Sequence, residues 1–330
     1  MGQAITKIKR LEITESFHVV KVLISDINNK VLFSTGNDND YIFPRSSIKI
    51  FQAIPFIKTN AVNRFKLSKK QIALACSSHR GENYHMNELN DWIKKIGIDK
   101  KKLQCGIHNP LNSKASESLL RSNKQANQLH NNCAGKHLAM ITSCLIKNYK
   151  QKDYLEFYHP HQIAIREIFE IFSNSKINKK CFAIDGCSAP QYCFKMKKIT
   201  EMLINLIKGY KGKFYYSNEI KILINSVVSN PKYIGGSDSF DSNIMMISNK
   251  RIFCKGGAEG VFLFADLRTG IAGVFKVSDG NERALPPIIL DIFSRFKIMN
   301  TKEIKKLNKI YNLTLKNHAK KVIGSMDIKI

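Results

Sequence analysis

Strand-forming runs stand at both ends of this chain and helix-type periodicity fills its middle, an order that limits the available folds more than any other feature. Phe17–Ser25 and Lys30–Ser34 are β-rich, and Asp26-Ile27-Asn28-Asn29 between them suits a hairpin turn. Ile252–Lys255, Gly260–Ala265 and Ile271–Val277 form a second β-rich group joined by Gly-containing turns. Apolar residues recur three and four apart in Lys136–Tyr149, Gln162–Phe172, Ile199–Ile207 and Asn218–Val228, which predicts helices. The whole predicts an α+β fold: a sheet formed from N- and C-terminal strands, flanked by helices, with a helical insertion. Strand-rich portions 15–60 and 230–330 then surround a mainly helical portion 61–229 in a single unit, 1–330.

Local signals sharpen this outline. Pro44 suits the entry to a helix starting near Ser46. Ser68 and Gln71 form a capping-box pattern, and His85–Ile96 is amphipathic and stopped by Gly97. Pro286 and Pro287 fall in the first turns of a helix from about Ala284 to Phe293. Gly106–Asn132, rich in Asn and Ser, reads as a long irregular segment, and Asn300–Ile330 as a helix plus a short strand.

With 53 Lys and Arg against 26 Asp and Glu, the 330-residue chain carries a formal charge of +27. The lysines are scattered among Ile and Asn and no aromatic-interleaved basic stripe exists, so a solvated surface is expected rather than a nucleic-acid face. No run of about 18 apolar residues occurs, and no membrane span is expected. The eight cysteines include no C-x-x-C pair, which points to a reducing cytoplasm.

The first chemical signal is Ser46-Ser47-Ile48-Lys49, directly after Pro44-Arg45. Residues three apart share a helix face, so the Lys49 amine can take the Ser46 proton if its pKa is lowered. A helix N-terminus disfavours the ammonium and offers N–H groups to an oxyanion. Ser173-Asn174-Ser175-Lys176 has the same spacing at a helix end without that setting. Cys76-Ser77-Ser78-His79 and Lys255-Gly256-Gly257 follow in the order seen in Ser–Lys amidohydrolases, where a second serine and a strand lysine complete the site.

Two further strings hold cysteines in polar, Gly-containing turns: Asn131-Asn132-Cys133-Ala134-Gly135-Lys136-His137 and Asp185-Gly186-Cys187-Ser188-Ala189-Pro190. Two such thiolates could share Zn²⁺, but the spacing is no standard metal signature, so a catalytic cysteine with His137 and buried structural thiols both stay open. Cys144 and Cys181 have apolar or basic neighbours and look inert. His159-Pro160-His161 reads as a helix start rather than a metal clip.

Taken with Cys105-Gly106-Ile107-His108 and Asp279-Gly280-Asn281, these ordered strings resemble the asparaginase II family of rhizobial type across nearly the whole chain. The resemblance implies a serine β-lactamase/glutaminase-like fold and hydrolysis of L-asparagine to aspartate and ammonia. It implies Ser46 with Lys49 as the nucleophilic pair and Ser78 with Lys255 as a second pair. It also implies a zinc ion held by Cys133, Cys187 and Lys136. A lysine ligates only when neutral, so bound metal must suppress its protonation. Asp185 is expected to anchor the substrate ammonium, with Arg45 and His137 positioning its polar atoms, and a homodimer is the expected assembly. Glutamine or another amide, or a β-lactam-like ring, is the alternative substrate; a silent basic protein binding nucleic acid is the alternative of another class.

The chain departs from the family pattern twice. Asn109 stands where C-G-x-H-W-P has an aromatic, and Ser239-Phe240-Asp241-Ser242 lacks the arginine of R-x-D-[TS].

Overall fold

The computed structural model describes residues 2–311 and 313–330. Strands β1 (Ala4–Arg10), β2 (Ile13–Ser25), β3 (Val31–Thr35) and β4 (Tyr41–Ile42) open the chain. Helices α1 (Lys49–Gln52), α2 (Ile54–Lys58), α3 (Ala61–Arg64), α4 (Lys69–Ala75), α5 (Asn83–Ile96), α6 (Ser113–Arg121), α7 (Ala134–Lys147) and α8 (Pro160–Ser173) follow. Then come β5 (Phe182–Ile184), β6 (Pro190–Tyr192), β7 (Phe194–Lys195), α9 (Met196–Tyr210), α10 (Ser217–Ser229), α11 (Lys232–Gly235) and α12 (Phe240–Ile247). The chain closes with β8 (Ile252–Gly257), β9 (Val261–Asp266), β10 (Ala272–Val277), α13 (Leu285–Arg295), α14 (Thr301–Ile310), β11 (Thr314–Lys316) and β12 (Val322–Lys329). The architecture is α+β, as the strand and helix periodicities predict.

Two compact units result. The first takes the chain up to Ser47, Phe194–Ile207, and the chain from Asn243 onward; the second takes Ile48–Cys193 and Lys208–Ser242. In the first unit, strands from both ends of the chain share one sheet in the order β11-β12-β1-β2-β10-β9-β8, with β3 also paired to β2. All these pairings are antiparallel.

The predicted hairpin is β2–β3, but β1 and the length of β12 go beyond the sequence expectation. Ala4, Thr6 and Ile8 alternate inward while Lys7 and Lys9 interrupt any apolar run, so the strand shows as period two rather than as a hydrophobic block. Its partner β12 lies some 320 residues away, with Ile5 opposite Lys329 and Lys9 bonded to Asp327 at 2.8 Å. The apolar face of α13 (Ile288, Ile289, Ile292, Phe293) is buried in this unit, where Phe293 meets Phe264 edge-on at 4.8 Å between ring centroids. Thr6 Oγ1 donates to Ala284 O at 3.0 Å, fixing where α13 begins.

The second unit is helical around α4. Ser68 and Gln71 form the predicted capping box at its start, and Gly97 ends α5 with φ +66°. Trp92 of α5 is fully buried against Phe56, at 5.5 Å between centroids, and its Nε1–H donates to Thr142 Oγ1 of α7 at 3.1 Å. His159 caps α8 by accepting from the His161 N–H, in keeping with a helix start. Gly106–Asn132 is not irregular throughout: α6 forms inside it, its N-terminus capped by the Asn112 side chain. None of its residues is buried, and its apolar stripe is confined to Ala115, Leu119 and Leu120, too short to stand out in an Asn- and Ser-rich segment. Among the described residues no helix is long and apolar enough to cross a membrane.

Candidate active site

Immediately after Pro44 comes the 3-10 turn Arg45–Ile48, whose Arg45, Ser46 and Ser47 belong to the first unit. Arg45 holds φ +53°, a left-handed conformation uncommon for a residue with a side chain. Ser47 is sealed in and donates its hydroxyl to Pro44 O, while Ser46 stays partly open. The end of β8 lies against this turn because Gly257 has no side chain: a Cβ there would sit 2.6 Å from Pro44 O and 3.2 Å from Ser47 N. Two residues earlier on β8, Lys255 is buried and donates to Gly256 O at 3.2 Å. Arg45 faces Glu259 at 4.0 Å.

In the second unit, the first residue of α1 meets the end of α4. Lys49 is 1% exposed, and its Nζ contacts Ser78 Oγ at 3.0 Å, Cys133 Sγ at 3.2 Å and the Ser77 carbonyl. An ammonium donates to all three, whereas a neutral amine donates to two and accepts a proton from the Ser78 hydroxyl. The Ser78 N–H donates to Ile234 O at 2.7 Å, tying the serine loop to α11. Cys133 reaches this group because Gly135 lets the first turn of α7 press on α4; a Cβ at Gly135 would lie 2.1 Å from Leu74 O. Asn131 steadies the junction, accepting from Cys133 N at 2.9 Å and donating to Cys105 O at 2.7 Å.

Lys136, one turn into α7, contacts Cys187 Sγ at 3.0 Å. Cys187 sits in the β5–β6 turn, where Asp185 N donates to Ala189 O at 2.9 Å and Ser188 adopts φ +65°. The neighbouring Cys133 thiol and then the Lys136 amine lower the Cys187 pKa against its burial, while Cys187 and burial raise that of Cys133. Burial opposes charge on Lys136, but the Cys187 and Cys133 sulfurs and the Asp185 carboxylate together raise its pKa. Asp185 itself is half-buried and accepts from Gly186 N at 2.9 Å.

His137 is fully buried beside this cluster. Tyr154 Oη accepts from Gln104 N at 2.9 Å and therefore donates its own proton to His137 Nδ1 at 2.6 Å. The imidazole hydrogen is thereby assigned to Nε2, which among the described residues makes no hydrogen bond of acceptable geometry. Burial lowers the His137 pKa, and Cys187 only partly offsets that effect.

The structure thus brings Lys49, Ser78, Cys133, Lys136, His137, Asp185 and Cys187 into the second unit, and Arg45, Ser46 and Lys255 into the first. Ser173 and Lys176 form no couple: the serine bonds Ser175 at 2.9 Å and the lysine Glu170 at 2.8 Å. Tyr154 and Asn131 escape the sequence reading. Asn131 lies inside a quoted motif, but Tyr154 is distinguished by no pattern, because its value to His137 exists only once α7 and the following loop meet.

Buried histidines in this unit carry a consequence for stability. Burial lowers the pKa of His85 to about 4 and that of His161 to about 3, against an ordinary value of 6.5. Between those values the unfolded chain binds more protons than the folded one, so stability is present above pH 6.5 and falls as pH drops towards 4. At pH 5 each group removes about 2 kcal/mol relative to neutral pH. Denaturant midpoints measured at pH 7.5 and pH 5 should therefore differ, with the lower value at pH 5; equal midpoints, or a higher one at pH 5, contradict the neutral burial of these rings.

Residues 6–328 match the family model described as L-asparaginase II. The chain belongs to the L-asparaginase II family. That membership makes it an amidohydrolase-type protein, with an amide as the substrate class. Two solved structures are remotely similar. One is a candidate beta-lactamase from Bacteroides dorei DSM 17855, 11% identical, with a TM-score of 0.41 over 79% of this chain and 87% of that one. The other is Mglu in its native form, 13% identical, with a TM-score of 0.33 over 80% of this chain and 60% of that one. Among curated proteins none matches.

Both departures of this L-asparaginase II family chain have local solutions. His108 accepts from Asn132 N through Nε2 at 2.9 Å, while its Nδ1 contacts Asn109 O at 2.7 Å. The Cys105–Pro110 loop is thereby tied to the Cys133 motif without an aromatic at position 109. Ser239 donates to Ser242 Oγ at 2.7 Å, and Ser242 to Pro231 O at 2.7 Å, so hydroxyls hold the loop that lacks the arginine.

Proposed function

We propose that the protein hydrolyses L-asparagine to aspartate and ammonia through a serine ester formed on Ser46. Neutral Lys49 takes the Ser46 proton as the hydroxyl oxygen attacks the side-chain carboxamide carbon. Backbone N–H groups around Ser46 stabilise the oxyanion. The C–N bond then breaks, Ser78 delivers a proton to the departing nitrogen, and Lys255 is the group assigned to support that transfer. Water attacks the ester by the reverse relay and releases aspartate. Arg45 and His137 are assigned to position the polar and carboxylate atoms of the substrate, and Asp185 to hold its ammonium.

One observation carries this proposal: a buried lysine, opening the helix three residues after Ser46, within hydrogen-bond reach of a second serine in a chain of an amidohydrolase family. The donors around Cys133 suit a zinc ion. Two adjacent sulfurs and the Lys136 amine form a nitrogen-and-sulfur set of the kind zinc prefers, although among the described residues no group of three or more His, Cys, Asp and Glu is arranged for a metal. Cys133, Cys187 and Lys136 would hold the ion, with Lys136 neutral, and it would supply positive charge and Lewis acidity beside the substrate. A cytoplasmic homodimer completes the proposal.

Ammonia release from asparagine and from glutamine, with zinc content measured on the same preparation, tests it. Asparagine is expected to be cleaved at least tenfold faster, and Cys133→Ala is expected to lose the zinc. Preference for glutamine moves the assignment to another amide. No ammonia from either, together with DNA binding that weakens steeply with salt, replaces the enzyme with a nucleic-acid binder.

A further inference from the structure

Two cysteines stand apart from the buried six. Cys181 closes the turn Lys179–Cys181 before β5, and Cys193 follows β6; both are free thiols and only partly buried. Phe182 pairs with Tyr192 in the β5–β6 ladder, so Cys181 and Cys193 are the next opposed positions, at the open end of that hairpin. The Cys193 N–H donates to Cys181 O at 2.9 Å, which holds the two residues directly across from each other. Opposed residues of antiparallel strands have Cα atoms about 4.5–5.5 Å apart. That range lies within the roughly 4.4–6.8 Å a disulfide spans.

We propose that Cys181 and Cys193 form a reversible disulfide that clamps the open end of the hairpin whose turn carries Asp185 and Cys187. The oxidant is a small disulfide of the glutathione class. Lys179 and Lys180, both exposed, place positive charge beside Cys181 and attract such an anion. The Cys181 thiolate attacks one sulfur of the oxidant, forming a mixed disulfide and expelling one thiolate. Cys193 then gives up its proton and attacks the Cys181 sulfur, forming the intramolecular bond and releasing the second thiol. Two protein thiols are oxidised and one disulfide is reduced to two thiols, so atoms and electrons balance. Desolvation, then Cys181, pushes the Cys193 thiol up to about 11, which suits Cys181 as the first attacker. Cys133 and Cys187 also adjoin each other, but they are buried and engaged by Lys49 and Lys136, which bars an oxidant from them. The proposal stands independently of the reaction assigned to Ser46.

The test treats the reduced full-length protein with glutathione disulfide and measures its intact mass. Trypsin and chymotrypsin then cut beside Phe182 and Tyr192, separating Cys181, Cys187 and Cys193 into different peptides. A mass lower by two hydrogens and a Cys181–Cys193 cross-link, reversed by dithiothreitol, are expected. Cys181→Ser should abolish the cross-link, leaving Cys193 as a thiol or a glutathione adduct. An unchanged mass, stable glutathione adducts without a bridge, or a bridge to Cys187 in the unsubstituted protein overturns the proposal.

Discussion

Ser46→Ala should lower the rate of ammonia release from asparagine by at least about a thousandfold, in the range seen when a unit of nucleophile and base loses one member. Lys49→Ala should fall to a similar level, and the double variant should be no worse than either single one, because nucleophile and base act as one unit. The two single changes differ in their structural cost. Ser46 is partly open, so its alanine variant should keep the parent's denaturant midpoint. Removing the Lys49 amine leaves the Ser77 carbonyl, Ser78 Oγ and Cys133 Sγ short of a donor, so that variant should also lose stability. Steady-state rates on asparagine, with unfolding curves on the same samples, check both. A Ser46→Ala protein releasing ammonia within tenfold of the parent would end the serine-ester mechanism.

Gly135→Ala should be the most destabilising small substitution in the motifs. Helix propensity alone favours alanine over glycine by about 1 kcal/mol, which would make the change stabilising. Packing opposes it. The new Cβ would lie 2.1 Å from Leu74 O and 2.6 Å from Leu74 C, backbone atoms that move only if α7 separates from α4. Overpacking of this kind costs about 1–3 kcal/mol or more, so a net loss of stability is expected, with asparagine turnover falling as Cys133 and Lys136 shift from Lys49. Gly186→Ala is the matched control: nothing lies within 4 Å of its Cβ position, and the variant should stay within about 0.5 kcal/mol of the parent. Equal effects of the two changes would show that the closeness of α7 to α4 is not what Gly135 provides.

The motif residues were legible because each belongs to a short string whose chemistry is local. Ser46 and Lys49 are three apart at a helix start, and the capping pair Ser68–Gln71 and the stop at Gly97 are as close. What stayed hidden depends on distant partners. Strand β1 needs β12, from the far end of the sequence, to pair one of its edges, and α13 to lie against its Ala4–Thr6–Ile8 face. Helix α6 buries none of its residues and spans only Ser113–Arg121, so its short apolar stripe does not stand out from the polar segment around it. Tyr154 matters only through the single hydrogen bond that sets the His137 tautomer. Cys181, which looks inert beside its lysines, acquires a partner through the hairpin pairing.

By themselves, the residues in order determined the α+β class, the family and the groups that carry chemistry, because periodicity and short motifs are properties of neighbours along the chain. Only the tertiary structure decided that Lys49 meets Ser78 and Cys133, that Lys136 meets Cys187, and that Gly135 and Gly257 are gaps for approaching backbone. The side-chain contacts of Lys49 and Lys136 among these join residues 29 to 84 positions apart. A proton or a sulfur responds to what lies within a few ångströms in space, and that distance is set by how the helices pack.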